Sequence, residues 1–484
     1  MNGSAHPPPT APGKHVKIAS EYAEERRRLH HEADVLIVGA GILGCALAVA
    51  LGDQGRSVIL LEKSLKEPDR IVGELLQPGG VQALEKLGLR DCLEGIEANR
   101  VFGYNVSYYG SEVLVPYTNP SAPEERVEGR SFHHGRLIMR LREAAMANPN
   151  VTVVETTVNS TVDSPYTGEI LGVQCATKQQ KDYYFAPLTV MADGYNSKFR
   201  KQYLPRAPRT GSKFWGLELI DAVLPSPGHG HVILSDIPPI LCYQIGPRET
   251  RILVDVPENL PSASIKNGGV KGHFRNAVLP SLPKCLQPSF EAAVEKGSFR
   301  SMPNSFLPST TNKIRGLIFL GDALNMRHPL TGGGMTVAFN DVLIIQELLS
   351  PKNVPNLSDT KKVLEQMSLF HWKRKNLTST INILAQALYT LFAAGDANLA
   401  VLQRGCFRYF QLGHIDGPVG LLAGLIRQPL VLFKHFFSVA FLSIWVLFRD
   451  SPIYLLPLTL VRAVAVFYSA CVVLLPYIFT ELKS

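Results

Sequence analysis

Ala33-Asp-Val-Leu-Ile-Val-Gly39-Ala-Gly41-Ile-Leu-Gly44, followed by Ser57-Val-Ile-Leu-Leu-Glu62, reads as a strand, a tight turn, a helix and a second strand. Gly39 permits the turn, Gly41 lets backbone approach a pyrophosphate, and Gly44 lets the helix press on the strand. The following residues, Cys45 to Leu51, are small and apolar, as a helix buried against a sheet requires. Glu62 ends the second strand, where its carboxylate would accept a hydrogen bond from a ribose hydroxyl and repel a 2′-phosphate. The unit therefore predicts an FAD or NAD site, not an NADP site.

Two later segments favour FAD. Phe319-Leu-Gly-Asp322 reads as a buried strand delivering a carboxylate, and Pro329-Leu330-Thr-Gly332-Gly333-Gly334-Met335 opens a helix predicted over 336–349. Unpaired N–H groups at a helix start suit the electron-rich carbonyl edge of an isoalloxazine, and nicotinamide needs no such second cradle. Val190-Met-Ala-Asp193-Gly194 again places Asp-Gly after an apolar strand. His134 to Arg142 looks like a helix start whose Arg136 could reach a flavin phosphate.

The three motifs, in this order, resemble those of the para-hydroxybenzoate hydroxylase-like FAD monooxygenases. Longer strings narrow the likeness: Glu67-Pro-Asp-Arg70-Ile-Val-Gly-Glu74-Leu-Leu-Gln77-Pro-Gly-Gly80, the run from Gly321 to Asp341, and Gly417-Pro-Val-Gly-Leu-Leu422 look like segments of the squalene monooxygenase (squalene epoxidase) family. The likeness runs from about residue 33 to the C-terminus. Animal members carry an N-terminal hydrophobic region without counterpart here, so the resemblance is to the compact fungal-type form.

The resemblance implies epoxidation of squalene to 2,3-oxidosqualene in sterol (ergosterol) biosynthesis, with O2 activated as a flavin C4a-hydroperoxide and electrons supplied through an NADPH-cytochrome reductase. It also implies roles for individual residues. Lys63, Arg70, Arg136, Asp193, Asp322 and the Gly332–Met335 turn would contact FAD. Gln77 and Tyr104 would form a hydrogen bond beside the flavin. Pro329, Leu330, Phe407, Phe410, Leu421 and His435 would line the substrate channel. Read without it, Tyr104 is a half-buried strand tyrosine, and Phe407, Phe410 and Leu421 are apolar helix-face residues.

Composition agrees with a large buried core: 46% of the 484 residues are hydrophobic. None of the seven cysteines is in CxxC spacing, which argues for reduced thiols on the cytosolic side and against a disulfide framework. The histidine pairs His30-His31 and His133-His134 lack carboxylates at ligand spacing, so no metal is expected. The first thirty residues are polar, with Pro7 to Pro9 and an acidic-basic run at 24–28, and predict a flexible leader without an apolar signal segment.

The apolar burden lies at the other end. Residues 429–448 match one bilayer width and 453–479 form a second stretch, divided by Arg449-Asp-Ser-Pro452. Lys434 and Arg462 interrupt them, and a charge at a bilayer centre costs about 2.5–3.5 kcal/mol. A hairpin dipping into one leaflet is thus expected ahead of two full spans or a soluble helical tail. Ten Lys or Arg against four Asp or Glu from His371 onward carry most of the chain's +8 formal charge, which suits anionic membrane lipid. Lys373-Arg-Lys375 is too short a run for nucleic acid, and none is expected as a partner.

The expected fold is α/β: a flexible leader (1–32), an FAD-binding Rossmann-like domain (33–200, with substrate-domain segments interleaved around 95–130), an inserted substrate-binding sheet domain (201–305), a return to the FAD domain (306–350), a helical region (351–428) and membrane-associated helices (429–484). The resemblance places the protein on the cytosolic face of the endoplasmic reticulum membrane, with lipid droplets as a second location. Two other readings stand beside it: an aromatic hydroxylase or isoprenoid-chain reductase of the same flavin fold, and a non-enzymatic flavin-binding membrane protein.

Overall fold

The computed structural model describes residues 31–482 except 120, 121, 123 and 177–180, so nearly all of the expected leader lies outside the described residues. Val35–Val38 pairs in parallel with Val58–Glu62 on one side and Leu188–Met191 on the other. The sheet is completed in the order Leu317–Phe319, Leu188–Met191, Val35–Val38, Val58–Glu62, Val151–Glu155. Its inner strands are apolar at nearly every position because helices cover both faces of a parallel sheet. Helix Ile42–Gly52 is buried along almost its whole length, and helices His134–Ala147 and Gly334–Leu348 pack against it.

A second, seven-stranded sheet runs in the order Arg300–Phe306, Arg209–Ile220, Glu249–Pro257, Ile240–Gln244, Gly230–Leu234, Gly103–Tyr108, Ser111–Pro116. Strands Arg209–Ile220, Gly230–Leu234 and Glu249–Pro257 lie within the 201–305 stretch expected to form a sheet domain. Alternation sorts its side chains into two cores. Leu217, Leu219, Ile252 and Val254 face helices of the 269–296 stretch, whereas Phe214, Leu241 and Leu253 share a cluster with the C-terminal helices.

Helix Pro78–Lys86 follows the two-residue strand Leu75–Leu76. Pro78 occupies the first turn, where its fixed φ and missing N–H cost nothing. The helix expected at 336–349 spans Gly334–Leu348.

Beyond it, Thr360–Ala393 begins on an Asp359 cap to the Lys362 N–H. It turns through 111° into Ala397–Gln411, whose own cap, Asp396, accepts from the Asn398 and Leu399 N–H groups. Pro429–Arg449 and the helix through Ile453–Leu482 are each long and apolar enough to cross a membrane. The first tail helix runs antiparallel along Ala397–Gln411: Tyr409 OH lies 2.8 Å from His435 Nδ1, and Arg404 pairs with Asp450 at 2.8 Å. Between them, a Cβ on Gly405 would collide with Ser443 Oγ. The outer faces of both tail helices present Leu430, Phe441, Trp445, Leu458, Val461 and Tyr468 to the surroundings.

Candidate active site

A cavity of about 210 Å³ opens at the carboxyl ends of the parallel strands, where open α/β sheets place their ligands. One wall is the glycine turn. Gly39 has φ +107°, and a Cβ there would strike the Ala192 carbonyl. A Cβ on Gly44 would collide with the Gly39 carbonyl oxygen, whereas one on Gly41 would point into open space. The first and third glycines thus serve the protein's own packing, and the second leaves room for a ligand.

Glu62 Oε2 accepts the Ala40 N–H at 2.8 Å. Arg142, buried, donates from Nε to the Ala40 carbonyl at 3.0 Å and from Nη1 to the Lys66 carbonyl at 3.0 Å, and its Nη2 lies 3.7 Å from Glu62. The turn is therefore clamped from both sides. Lys63 is exposed. Arg136 does not join this wall: it donates to Glu97 and lies 3.5 Å from the Ile96 carbonyl. Arg142, further along the same helix, takes the position beside the nucleotide turn that Arg136 was expected to supply. Its sequence signal is its place four residues after Ile138, on the apolar face of the helix.

A second wall joins the Asp-Gly and Gly-Asp segments. Arg200 donates to the Tyr195 carbonyl at 2.6 Å and the Asp322 carbonyl at 3.0 Å, tying the two loops together. The Asp322 carboxylate faces Arg70 at 3.9 Å, and the Arg70 guanidinium lies 5.4 Å from the centroid of the Tyr195 ring. Arg70 Nε and Asp193 Oδ1 are buried without partners among the described residues. Burial pushes the Asp193 carboxyl up, against the pull of its Ser197 hydrogen bond.

The third wall is the glycine-rich helix start. Pro329, Leu330, Gly332, Gly334 and Met335 line the cavity. Gly332 needs its φ of +61°, a Cβ on Gly333 would collide with the Ile381 side chain, and one on Gly334 would face open space. Opposite lie Tyr104, Glu74 and Tyr243. Gln77, fully buried, donates from Nε2 to Tyr104 OH and, at 2.7 Å, to the Thr331 carbonyl. Its Oε1 accepts from Tyr117 OH at 2.6 Å. Gln77 thus ties the seven-stranded sheet to the Gly332–Met335 turn. Burial pushes the Tyr104 and Tyr117 phenols up, so both stay neutral. His134, also on the wall, holds the Gly73 carbonyl at 2.7 Å through Nδ1, and its pKa is lowered to about 3 by burial and by Arg70.

Arg251 reaches across from the seven-stranded sheet to Glu74 with two hydrogen bonds of 2.9 and 3.0 Å. Burial raises the Glu74 carboxyl and Arg251 opposes it. Tyr117 and Arg251 carry no motif of their own, and the partners of Glu74 and Arg200 are legible only once the strands are assembled.

A second, apolar cavity of about 50 Å³ lies between the C-terminal helices and is lined by Leu391, Leu402, Phe410, Leu421 and His435, among others. Phe407 stacks on Tyr108 at 5.1 Å. One continuous apolar cluster contains Tyr104, Leu75 and Leu330 from the first cavity, Leu402 and Phe410 from the second, and Ala440, Val466 and Ala470 of the tail.

The fold is shared with solved flavoproteins. PqsL of Pseudomonas aeruginosa, described as a probable FAD-dependent monooxygenase, superposes with a TM-score of 0.63 at 22% identity, covering 75% of this chain and 97% of that one. The flavin-dependent brominase Bmp2 gives 0.66 at 14% identity over 84% and 98%. Sequence relatives are far closer. The squalene epoxidase erg1 of Aspergillus fumigatus is 66% identical over 95% of this chain and 96% of its own length. The squalene monooxygenase of Mus musculus is 44% identical over 93% of this chain and 78% of its own. The squalene epoxidase family model matches residues 185–461. With more than half of its length matched and two-thirds identity to a full-length relative, the chain is an FAD-dependent oxidoreductase that belongs to the squalene epoxidase family.

Proposed function

We propose that this protein holds FAD in the larger cavity and epoxidises squalene to 2,3-oxidosqualene for sterol synthesis, consuming O2 and taking electrons from NADPH through a membrane-bound cytochrome reductase. The cavity fits the cofactor on its own terms: open space over Gly41 and Gly334, an unpartnered Arg70 Nε, and an unpartnered Asp193 oxygen are what a phosphate- and hydroxyl-bearing ligand would fill. Glu62, Arg70, Asp193, Asp322 and the Gly332–Met335 turn would hold it. When bound and reduced, FAD supplies the activation of O2, one atom of which goes to the alkene and the other to water.

The chain's own residues bind, aim and keep dry. The observation that carries this reading is the unbroken apolar cluster from the outward tail helices to Tyr104 and Leu330. Squalene has no polar handle, and leaving its surface in water costs about 25 cal/mol per Å². A door on the lipid side avoids that cost. Tyr104, fixed by Gln77, and Leu330 would hold one terminal double bond against the flavin face, while Phe407, Phe410, Leu421 and His435 line the approach. Dry walls also suppress the futile hydrolysis of activated oxygen.

The tail supports attachment to one leaflet, because the first tail helix is fastened to the catalytic body at both ends. The cytosolic face of the endoplasmic reticulum membrane is the proposed location. The test supplies detergent-purified protein with reductase, NADPH, O2 and squalene. An epoxide is expected, heavier by one oxygen atom and opened to a diol by acid, whereas a hydroxylated isomer of the same mass that resists acid opening, or a saturated product, would support the other flavoenzyme readings instead.

A further inference from the structure

The last turn of the tail carries a buried carboxylate that an apolar anchor does not need. Glu481 is 5% exposed. Its Oε1 accepts from Asn382 Nδ2 at 2.9 Å, its Oε2 accepts from Ser379 Oγ at 3.0 Å, and its main-chain carbonyl accepts from Lys375 Nζ. Asn382 Nδ2 also donates to Asn325 Oδ1 at 3.2 Å.

Asn325 is fully buried, three residues after Asp322, and its own Nδ2 is fixed on the Leu307 carbonyl at 2.7 Å. The same Oδ1 accepts from Arg327 Nη2 at 2.8 Å and from Arg374 Nη2 at 3.4 Å. Arg374 is clamped by Asp341 through two hydrogen bonds of 2.9 and 2.7 Å. Arg327 has no such clamp. Among the described residues its hydrogen bonds go to the carbonyl and Oδ1 of Asn325 and its Nε is unpartnered, and it lines the flavin cavity beside Asp322.

A buried guanidinium is costly unless charge and hydrogen bonds compensate it. Burial pulls the Arg327 pKa down, and Asp322, Asp341 and Glu481 push it back up. Asp341 is already committed to Arg374, which leaves Asp322 on the cavity side and Glu481 on the tail side.

We propose that Glu481 is a positioning residue for the flavin cavity, acting through Asn382 and Asn325 to fix the Arg327 guanidinium on the cavity wall. Seating of the last tail helix is thereby coupled to the cation that meets the cofactor. The proposal rests on the flavin reading above. Nothing in a purely anchoring helix would call for this chain of contacts, which runs from its final turn to the cavity.

The test uses the full-length protein, stripped of flavin in detergent and titrated with FAD by fluorescence quenching, with the bound-flavin midpoint potential read by dye equilibration. Glu481→Ala is expected to weaken FAD binding about tenfold, within the range of couplings inside one polar network, and to make the potential more negative. Glu481→Gln, which keeps an acceptor for Asn382, should lose less. Arg327→Met should shift both readouts in the same direction, and Glu481→Ala should add nothing to it in the double variant. Wild-type affinity and potential in Glu481→Ala, or full additivity with Arg327→Met, would overturn the proposal. Should Glu481→Ala fail to fold, Ser379→Ala removes one donor to the same carboxylate and is expected to weaken FAD about twofold. Wild-type values in both Ser379→Ala and Glu481→Gln then overturn it. A wild-type protein that binds no FAD would instead sink the flavin reading.

Discussion

Gly41 and Gly44 sit one helical turn apart and carry opposite predictions. A side chain at Gly41 meets nothing in the protein, so Gly41→Val should fold with near-normal thermal stability yet emerge colourless, which absorbance after purification will show. A Cβ at Gly44 collides with the Gly39 carbonyl, so Gly44→Ala should lower stability by about 1–3 kcal/mol in thermal melts. Asp322→Ala should cost about 1.5–3 kcal/mol of FAD affinity, measured by titration, because a charged hydrogen bond is lost and Arg70 is left without its carboxylate. These residues were legible because their work is local: a turn, a close approach, a carboxylate at a strand end. Arg142 and Arg200 were not, because the carbonyls they hold lie 102 and 122 residues away. Gln77 and Tyr104 needed the family likeness, and their third partner, Tyr117, needed the fold.

Between elements, the bond from Arg251 to Glu74 is the one buried ion pair that joins the seven-stranded sheet to the segment ahead of helix Pro78–Lys86, among the described residues. Arg251→Met should destabilise the protein by about 3–5 kcal/mol in denaturant titrations, since it strands a buried carboxylate. Adding Glu74→Met should recover most of the loss, because two apolar side chains can fill the site without a charge to compensate. The sheet that carries Arg251 was readable in the sequence as a domain over 201–305. The strand order was not, because Gly103–Tyr108 and Ser111–Pro116 come from a part of the chain far ahead of the rest, and only the Gly230–Leu234 pairing, in parallel, reveals where they dock.

At the scale of the whole molecule, the tail packs into the apolar cluster and has two helices long and apolar enough to cross a membrane. Helices Pro429–Arg449 and Leu456–Leu482 share the apolar cluster that reaches Tyr104, so truncation after Gln428 should depress squalene turnover even in detergent, besides releasing the protein from membranes. Kinetics of the truncated protein at matched flavin content will check this; normal detergent-phase rates would reduce the tail to an anchor. Hydropathy revealed that the tail is apolar but not which face it keeps for the protein. The answer lies in small contact points such as Gly405 against Ser443. Its other face has an optical use. The chain has three tryptophans, and Trp445 stands 55% exposed on the first tail helix, with Arg449 5.2 Å from its ring. In a protein carrying Trp215→Phe and Trp372→Phe, its emission should shift to the blue when liposomes are added. Quenchers placed at graded depths in the lipid should then find it near the headgroups, where an indole beside an arginine at a helix end settles.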